Sequence, residues 1–414
     1  MKVVLQNITK EFPGRNRKDN KVKAVNNISF EVPDGKLVGL LGPSGCGKST
    51  TLFMICGLEP PTAGRIYFGN EDVTNLAPEN RGVGVVFQNY ALYPHLSVKK
   101  NIMFPLENFK GRNKLSKKEM EARAFKAAKL VQIENLMERR PKELSGGQQQ
   151  RVAIARAMVK MPKVLLLDEP LSNLDARLRL QTREEIRKLQ KETGITTVFV
   201  THDQDEAMSI SDIIVVMKDG IINQIGKPQD VYDNPVNLFV AKFLGTPPIN
   251  LFKGHVKNEK LFIGNNWVLS APGIADQQLI VGIRPEGFIL SSKGPFICKM
   301  ERIDVMGRDI SVISSNINSI SGNVRSIITS DNKINEENET VRFELKQSKV
   351  LLFNENTEER IYINPKLSVQ EKIQDKLVKI KDSANRIISS VKNNRKTKKY
   401  EPDKNKESLV RRIK

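Results

Sequence analysis

The sequence has few cysteines and no long apolar run. Its 414 residues include only three cysteines, Cys46, Cys56 and Cys298. Three scattered cysteines exclude a disulfide framework and a cysteine-based zinc site, and they suit a reducing cytoplasm. No segment approaches the ~18 consecutive apolar residues that a membrane-spanning helix needs. The first residues, MKVVLQNITKEF, lack an apolar signal core and a cleavage site, so we expect no secretion by that route.

Lysines and arginines outnumber the acidic residues, and the formal net charge is +20. The excess is uneven: residues 1–240 have 36 basic and 27 acidic residues, 241–365 have 15 and 14, and 366–414 have 16 and 6. Half of the excess charge therefore lies in the last 49 residues and does not indicate a basic face on the folded part. The length, with 39% hydrophobic and 28% charged residues, predicts a soluble globular chain of two or three domains.

Residues 1–240 alternate short β-branched runs with helix-like stretches, which predicts an α/β sheet with parallel strands at its centre. The strand-like runs are VVLQNI, KLVGLLG, GVGVVF, VLLLDE, TTVFVTH and IIVVM. From Ser97 to Leu144 a Lys/Glu/Ala-rich helical pattern replaces them, most clearly in KKEMEARAFKAAKLVQI. This change predicts a helical subdomain at about residues 97–150, inserted into the sheet domain.

After GTPPINLF, short strand-like segments follow one another, which predicts a small all-β barrel over residues 241–365. The segments are KLFIG, NWVLSA, QLIVGIRPE, ISVISS, TVRFEL and KVLLFNE. In residues 366–414, apolar residues at spacings of three and four predict a basic amphipathic helix from Leu367 to about Asn393, followed by a disordered end. This tail could lie on anionic lipid, form a coiled coil between two subunits, or simply pack on the barrel with a solvated end.

The segment GPSGCGKST follows the apolar run LVGLL and matches the phosphate-loop pattern GxxxxGK[ST] in its required context. Its glycines let backbone N–H groups and a helix N-terminus surround phosphates, while Lys48 neutralises their charge and Ser49 ligates Mg²⁺. The predicted ATP-binding residues of this loop are Gly42, Pro43, Ser44, Gly45, Cys46, Gly47, Lys48, Ser49 and Thr50.

Two further segments can contribute to a phosphate site. VLLLDEP is a buried strand that ends in two carboxylates, and we assign Asp168 to Mg²⁺ and Glu169 to the general base. LSGGQQQR, from Leu144 to Arg151, opens a helical run and forms a second anion-binding helix start. By itself an Asp-Glu pair after a strand is usually just a helix cap, and LSGGQ by itself could also be an ordinary cap.

The motifs GPSGCGKST, FQNYALYPH, LSGGQ, LLLDEP, SNLD and VTHD, in this order, resemble the ATP-binding-cassette (ABC) ATPases over residues 3 to about 240. In that family two subunits sandwich two ATP molecules, and LSGGQ faces the ATP of the other subunit. The resemblance therefore implies that Ser145, Gly146, Gly147 and Gln148 act in trans.

The same resemblance implies roles for four more residues. Gln88 would contact the metal and the lytic water, His202 would hold the γ-phosphate, and Asp175 would link the two sites across the dimer. Phe12 would stack on adenine. The resemblance to the family is weaker at Phe12, because the basic insertion GRNRKDNKVK follows this residue. The insertion either displaces the stacking residue or lengthens a hairpin.

Within the family, several strings are similar to the ATPases of carbohydrate importers, namely the maltose, multiple-sugar and glycerol-3-phosphate group. They are FQNYALYPHLSV, DEPLSNLDARLR, THDQDEAM, QIGKPQDVYDNPVNLFVAKFLGTPPINLF and GIRPE. KVLLFNENTEERI resembles the stretch that closes their OB-like (TOBE-type) regulatory barrel. The implied fold class is an α/β P-loop cassette with an inserted helical subdomain, followed by that barrel and the basic tail.

This likeness implies the partners. They are a second ATPase subunit, most simply in a homodimer, two membrane permeases that dock in a groove near Gln88 to His95 and the helical subdomain, and an extracellular solute-binding protein. The chain would act at the cytoplasmic face of the cell membrane, with no nucleic acid partner. Two alternatives are a polyamine importer ATPase and a cassette ATPase that acts on nucleic acid or ribosomes. A third, a lapsed enzyme kept as a scaffold, is opposed by the intact Lys48, Asp168, Glu169 and His202.

Overall fold

The computed structural model describes residues 1–14, 21–109, 114–330 and 339–363. The predicted amphipathic helix and disordered end of residues 366–414 lie outside the described residues, as does most of the basic insertion that follows Phe12.

The first 244 residues form two sheets and eight α-helices among the described residues. The strands are β1 (Val3–Phe12), β2 (Val22–Val32), β3 (Leu37–Leu41), β4 (Ala63–Phe68), β5 (Glu71–Asp72), β6 (Val83–Val86), β7 (Val164–Asp168), β8 (Thr196–Thr201), β9 (Ile213–Lys218) and β10 (Ile221–Gly226). The helices are α1 (Lys48–Cys56), α2 (Val98–Glu107), α3 (Lys117–Leu130), α4 (Gly146–Met158), α5 (Ala176–Thr193), α6 (Gln204–Ile210), α7 (Pro228–Asp233) and α8 (Leu238–Phe243).

The central sheet has the strand order β10-β9-β3-β8-β7-β6. Its five strands from β9 to β6 are parallel, and only β10, at the edge, is antiparallel. Every residue of β3, β7 and β8 is buried, as expected for parallel strands that are covered on both faces. The predicted α/β class is confirmed.

A second, antiparallel sheet has the order β2-β1-β4-β5 and was not expected from the sequence. Register shifts interrupt the pairing of β1 with both β2 and β4. Asn7 and Asn27 adopt φ values of 49° and 51° at these irregular points. Its apolar residues share one core with the central sheet and α1, where Leu5, Val38 and Leu52 are at most 1% exposed.

The inserted helical part is built from α2, α3 and α4, which pack on one another around a shared core. Ser97 caps α2, and Ser116 starts α3 with a capping box that includes Glu119. Asn101 of α2 is fully buried; its Nδ2 donates to the carbonyl oxygens of Tyr93 and Leu96, both at 3.1 Å. This amide fixes the helical part to the turn that follows β6.

The C-terminal part is all-β, as predicted, and its two sheets enclose one barrel-like core. The sheet orders are β13-β12-β11-β14-β20-β21 and β15-β19-β16-β17-β18. The strands are β11 (Asn250–Lys257), β12 (Lys260–Ile263), β13 (Asn266–Ser270), β14 (Gln277–Ile283), β15 (Phe288–Leu290), β16 (Phe296–Met306), β17 (Asp309–Ser315), β18 (Asn323–Thr329), β19 (Thr340–Leu345), β20 (Val350–Asn354) and β21 (Arg360–Ile361).

A buried arginine connects this all-β part to the end of the first. Arg284 is 1% exposed and donates to the carbonyl oxygens of Tyr232 at 2.7 Å, of Ala241 at 2.9 Å and of Leu244. Its guanidinium carbon lies 3.9 Å from the centroid of the Tyr232 ring. Burial lowers the pKa of Arg284, but an arginine remains charged at neutral pH. These contacts hold α7 and α8 against β14.

Candidate active site

The predicted phosphate loop connects β3 to α1 in a tightly packed turn. Gly45 and Gly47 have φ values of 79° and 99°, in the left-handed region that favours glycine. A Cβ atom added to Gly42 would lie 2.3 Å from the carbonyl oxygen of Met217, and one added to Gly47 would lie 2.4 Å from that of Ala24. Backbone shape and close packing therefore both require glycines in this loop.

Lys48, the first residue of α1, is 5% exposed, and its ammonium folds back onto the loop. Its Nζ donates to the carbonyl oxygens of Gly42 at 2.8 Å and Pro43 at 2.9 Å. The loop thus holds the ammonium close to its own backbone, where such a lysine neutralises phosphate charge. Ser44 is exposed and Thr50 is half-buried, so the outer rim of the loop faces solvent.

Cys46 lies on the protein side of the loop. It is 3% exposed and belongs to the core between the two sheets. Burial raises the pKa of its thiol, and the charge of Lys48 only partly opposes this effect. The thiol is therefore protonated at neutral pH and shielded from solvent, so only the backbone of Cys46 can contact a nucleotide.

Ser49 and Asp168 meet although they come from different elements. The Ser49 hydroxyl donates to Oδ1 of Asp168 at 2.9 Å, where β7 ends beside the start of α1. Burial raises the pKa of Asp168, and the charge of Glu169 raises it further, whereas the Ser49 hydrogen bond and Lys48 lower it. A hydroxyl and a buried carboxylate are the oxygen ligands that Mg²⁺ prefers, and a cation would relieve the desolvated charge. This pair therefore fits a magnesium site.

Two side chains that are far apart in sequence converge on one carboxylate oxygen of Glu169. Gln88 Nε2 lies 3.1 Å from Oε2 of Glu169, and His202 Nδ1 also lies 3.1 Å from that oxygen. The three residues follow β6, β7 and β8, which are neighbours in the central sheet. Among the described residues, no hydrogen bond is made to the other oxygen, Oε1. Ligand sites of open parallel sheets lie at this carboxyl edge.

Glu169 has a strained backbone, with a φ of 43°. A left-handed conformation costs a non-glycine residue roughly 1–2 kcal/mol, and such strain concentrates at functional sites. Its N–H donates to the carbonyl oxygen of Val200 at 3.0 Å, and its carbonyl oxygen accepts from Ser172 Oγ at 2.9 Å. These bonds hold the strained turn in place. The Glu169 side chain is 20% exposed and that of His202 is 54% exposed, so both face an open site.

The LSGGQ segment begins α4 with a capping box. Gln148 N–H donates to Ser145 Oγ at 3.4 Å, and Ser145 N–H donates to Gln148 Oε1 at 3.0 Å. Cβ atoms added to Gly146 and Gly147 would lie 3.1 Å and 3.0 Å from leucine side chains at Leu174 and Leu178. Within the part of the chain that the structure describes, no hydrogen bond joins this segment to the phosphate loop.

Two predicted residues have local partners of their own. Asp175 caps α5, since its Oδ1 accepts from the Leu178 N–H at 2.9 Å. Phe12 ends β1, and Lys10 Nζ lies 4.9 Å from the centroid of its ring. The predicted dimer linkage of Asp175 and the predicted adenine stacking of Phe12 both need a second molecule, and both stay predictions.

The structure adds two residues that the sequence reasoning missed. Asn173 Nδ2 donates to the carbonyl oxygen of Gln88 at 2.8 Å, which ties the turn after β7 to the turn after β6. Arg156 of α4 donates to the carbonyl oxygens of Tyr90 and Ala91 in the same turn. The position of Asn173 inside the string SNLD could have indicated the first. A charged residue inside the apolar helical run VAIARAMV is the only signal for the second.

Fold and site together define a P-loop nucleotide-binding protein. The profile of the family described as "ABC transporter" matches residues 25–172. The sn-glycerol-3-phosphate import ATP-binding protein UgpC of Psychromonas ingrahamii is 39% identical over 377 residues, which cover 90% of this chain and 98% of the relative.

Two other relatives are more similar over a shorter length. The trehalose/maltose import ATP-binding protein MalK of Thermococcus litoralis is 47% identical over 282 residues, covering 64% of this chain and 75% of the relative. The Fe(3+) ions import ATP-binding protein FbpC of Fusobacterium nucleatum is 47% identical over 270 residues, covering 64% and 71%. The chain belongs to the ABC transporter family, among its import ATP-binding subunits, and is an ATPase coupled to transport. The predicted family is confirmed.

No helix in the described ranges has the length and apolar character that crossing a membrane would need.

Proposed function

We propose that this chain powers the uptake of a sugar or of glycerol-3-phosphate, and that two copies pair around two ATP molecules to do so. The observation that carries the proposal is the convergence of Gln88 and His202 on Glu169, next to the Ser49–Asp168 pair. Such a site combines a positioned base with a place for the phosphates of a nucleotide.

In the proposed hydrolysis, Glu169 accepts the proton of the attacking water through Oε1. Gln88 and His202 hold Oε2 and thereby fix the direction of the free oxygen. Lys48 neutralises the β- and γ-phosphate charge, and the loop N–H groups donate to phosphate oxygens. Ser49 and Asp168 would hold Mg²⁺, which supplies charge neutralisation at the phosphate oxygens when bound.

The helix start at Ser145 supports the proposed pairing of two copies. The first N–H groups of α4 and the positive end of its dipole attract an anion, yet no hydrogen bond in the described residues connects this segment to the phosphate loop of the same chain. The proposed arrangement turns Ser145, Gly146, Gly147 and Gln148 of one copy toward the γ-phosphate in the other. Donors on both sides of the transferring phosphoryl group then make the pair far more active than either copy alone.

The helical part offers a surface for the proposed permease partners. A cavity of about 440 Å³ opens there between α2, α3 and the segment before α4. Phe125 lies in its wall and is 52% exposed, with Met137 beside it and Lys99 and Glu121 at the rim. An exposed aromatic side chain in a concave, partly apolar site is typical of a protein contact. Permease docking here would place the chain at the cytoplasmic face of the membrane.

The cargo proposal rests on how much of each relative aligns with this chain as well as on sequence identity. The glycerol-3-phosphate relative is covered over 98% of its length, which includes the all-β part, whereas the iron relative aligns over 270 residues. The trehalose/maltose relative aligns over 282 residues, hardly more than the iron relative, so the length of the alignment supports the glycerol-3-phosphate relative in particular.

Purified protein tests the catalytic half of the proposal. We expect Glu169→Gln to lower kcat for ATP by roughly 10²- to 10⁴-fold, because it removes the proton acceptor, while ATP binding is retained. Glu71→Gln, an equal change at an exposed strand residue, is the matched control and should keep the original rate. Undiminished turnover in Glu169→Gln would show that another group activates the water.

Uptake assays test the transport half. In a strain that lacks this chain, uptake of one labelled sugar or of labelled glycerol-3-phosphate should be lost, and the original chain should restore it while Glu169→Gln should not. Ferric ion uptake is the control and should be unaffected. Loss of ferric uptake alone would overturn the cargo proposal and leave the ATPase assignment intact.

A further inference from the structure

Arg156 connects the helix that starts with the LSGGQ segment to the turn that carries Gln88. It lies in the last part of α4, eleven positions after the Ser145 cap. One guanidinium nitrogen donates to the carbonyl oxygen of Ala91 at 2.6 Å, and the other donates to that of Tyr90 at 2.7 Å. Its guanidinium carbon lies 5.8 Å from the centroid of the Tyr93 ring.

The turn that Arg156 holds is strained. Tyr90 and Ala91 have φ values of 60° and 47°, a left-handed conformation at two successive non-glycine residues. Such a turn persists only where surrounding contacts over-determine it. The Tyr90 side chain is buried in the helical core at 5% exposure, and Arg156 bonds both carbonyl oxygens at once with its rigid fork.

The same turn is fixed at its other end by the catalytic carboxylate and its neighbours. Gln88 Nε2 contacts Glu169, and the Gln88 carbonyl oxygen accepts from Asn173 at 2.8 Å. Gln88 itself is exposed, so packing does not fix its side chain. The direction of this side chain therefore depends on the backbone of the turn. Asn173 holds that backbone at Gln88, and Arg156 holds it at the two strained residues that follow.

We infer that Arg156 is a positioning residue: it keeps the Tyr90–Ala91 turn in its strained form and thereby transmits the position of the LSGGQ helix to Gln88 and Glu169. The inference rests on the proposed roles of Gln88 and Glu169 in hydrolysis. Arg156 contacts no phosphate-loop residue in the described part of the chain, so its loss should not weaken the binding of ATP directly.

The first test separates kcat from KM. We expect Arg156→Met to lower kcat for ATP by about 10- to 100-fold, the cost of a misplacement remote from the chemistry, with little change in KM. Arg156→Lys keeps the charge but lacks the planar fork, so it should recover only part of the rate. Lys160→Met is the matched control: it removes an exposed cation just beyond α4, 4.9 Å from the Phe109 ring, and should keep the original kcat.

The second test addresses the strain itself. Glycine adopts φ values near +50° without cost, so Ala91→Gly should make the turn less dependent on Arg156. We expect the double variant Arg156→Met/Ala91→Gly to turn over ATP several-fold faster than Arg156→Met. A residue that only supported overall stability would not be rescued by a change in this turn, and thermal unfolding of each variant checks that all are folded.

Two results would overturn the inference: an original kcat in folded Arg156→Met, or a double variant that is no faster than Arg156→Met. These outcomes are distinguishable from failure of the proposed function, because that failure would appear in Glu169→Gln. If Glu169→Gln is inactive and Arg156→Met is fully active, only the role of Arg156 is wrong.

Discussion

Replacement of Asp168 by asparagine should lower the rate of ATP hydrolysis without lowering the stability of the fold. The change keeps the size and one oxygen of the side chain, so the hydrogen bond from Ser49, 2.9 Å long, can persist. It removes the negative charge of a residue that is 7% exposed. The substitution thus removes both the proposed metal ligand and a desolvated charge.

The direction of the expected stability change follows from the pKa of Asp168, which is raised mainly by burial. A carboxyl group with a raised folded-state pKa costs stability wherever it is ionised, and this cost disappears only when the pH falls below its unfolded-state value of about 3.9. At pH 7 the asparagine variant should therefore unfold at the same or a higher temperature than the original protein. Loss of a charged group that stabilises the transition state typically costs about 10²- to 10³-fold in kcat.

The assay pairs two measurements on one preparation: ATP turnover against magnesium concentration, and thermal unfolding in magnesium-free, nucleotide-free buffer. We expect Asp168→Asn to need more magnesium and to reach a lower maximal rate, with no loss of Tm. A lower Tm would show that Asp168 is a structural residue. An unchanged magnesium dependence would show that it is not a metal ligand.

Three further predictions concern binding and stability. Lys48→Met should weaken ATP binding at least about tenfold, because it removes a charge-assisted contact to phosphate; titration with a fluorescent ATP analogue measures this, and unchanged affinity would contradict the assigned role. Burial alone raises the pKa of Asp212, but hydrogen bonds from Arg187 and the Leu37 N–H outweigh it and hold that pKa below its ordinary value. The stability that Asp212 contributes is therefore present above its unfolded-state pKa of about 3.9 and is lost as the pH falls through the folded-state pKa. Asp212→Asn should accordingly lower Tm at pH 7 and flatten the acid dependence of unfolding, and an equal loss of Tm in strong acid would refute this. Arg284→Met removes the donor from two buried carbonyl oxygens and one partly buried one. It should lower the free energy of unfolding by about 3 kcal/mol or more, as urea denaturation would report; a loss below ~1 kcal/mol would contradict that account.

The sequence predicts those parts of the molecule whose structure depends on residues close together in the chain. The phosphate loop is recognisable because its shape needs glycines at fixed positions, and Gly45 and Gly47 do have positive φ values. The central strands are recognisable because burial on both faces leaves continuous apolar runs, as in LVGLL and VLLLD. The helix starts at Ser116 and Ser145 are readable because a capping box has a fixed spacing.

The parts that were missed depend on contacts between distant segments. The strand-like run VVLQNI was expected in the parallel sheet but forms part of β1 in the antiparallel sheet, which is irregular where Asn7 and Asn27 interrupt the pairing. Arg156 and Arg284 are charged residues in partly or fully buried positions, and their carbonyl partners can be identified only when the fold is known. The convergence of Gln88 and His202 on Glu169 was accessible only through family resemblance.

The central claim, that two copies of this chain complete each other's nucleotide sites, is tested most directly by the mass of the Glu169→Gln protein in solution. This variant should hold ATP without hydrolysing it, so light scattering after size exclusion should give a dimer with MgATP and a monomer with ADP. Adding Ser145→Arg, which fills the space in front of the α4 start, should restore the monomer even with MgATP. A Glu169→Gln protein that binds MgATP and still remains a monomer would contradict the account.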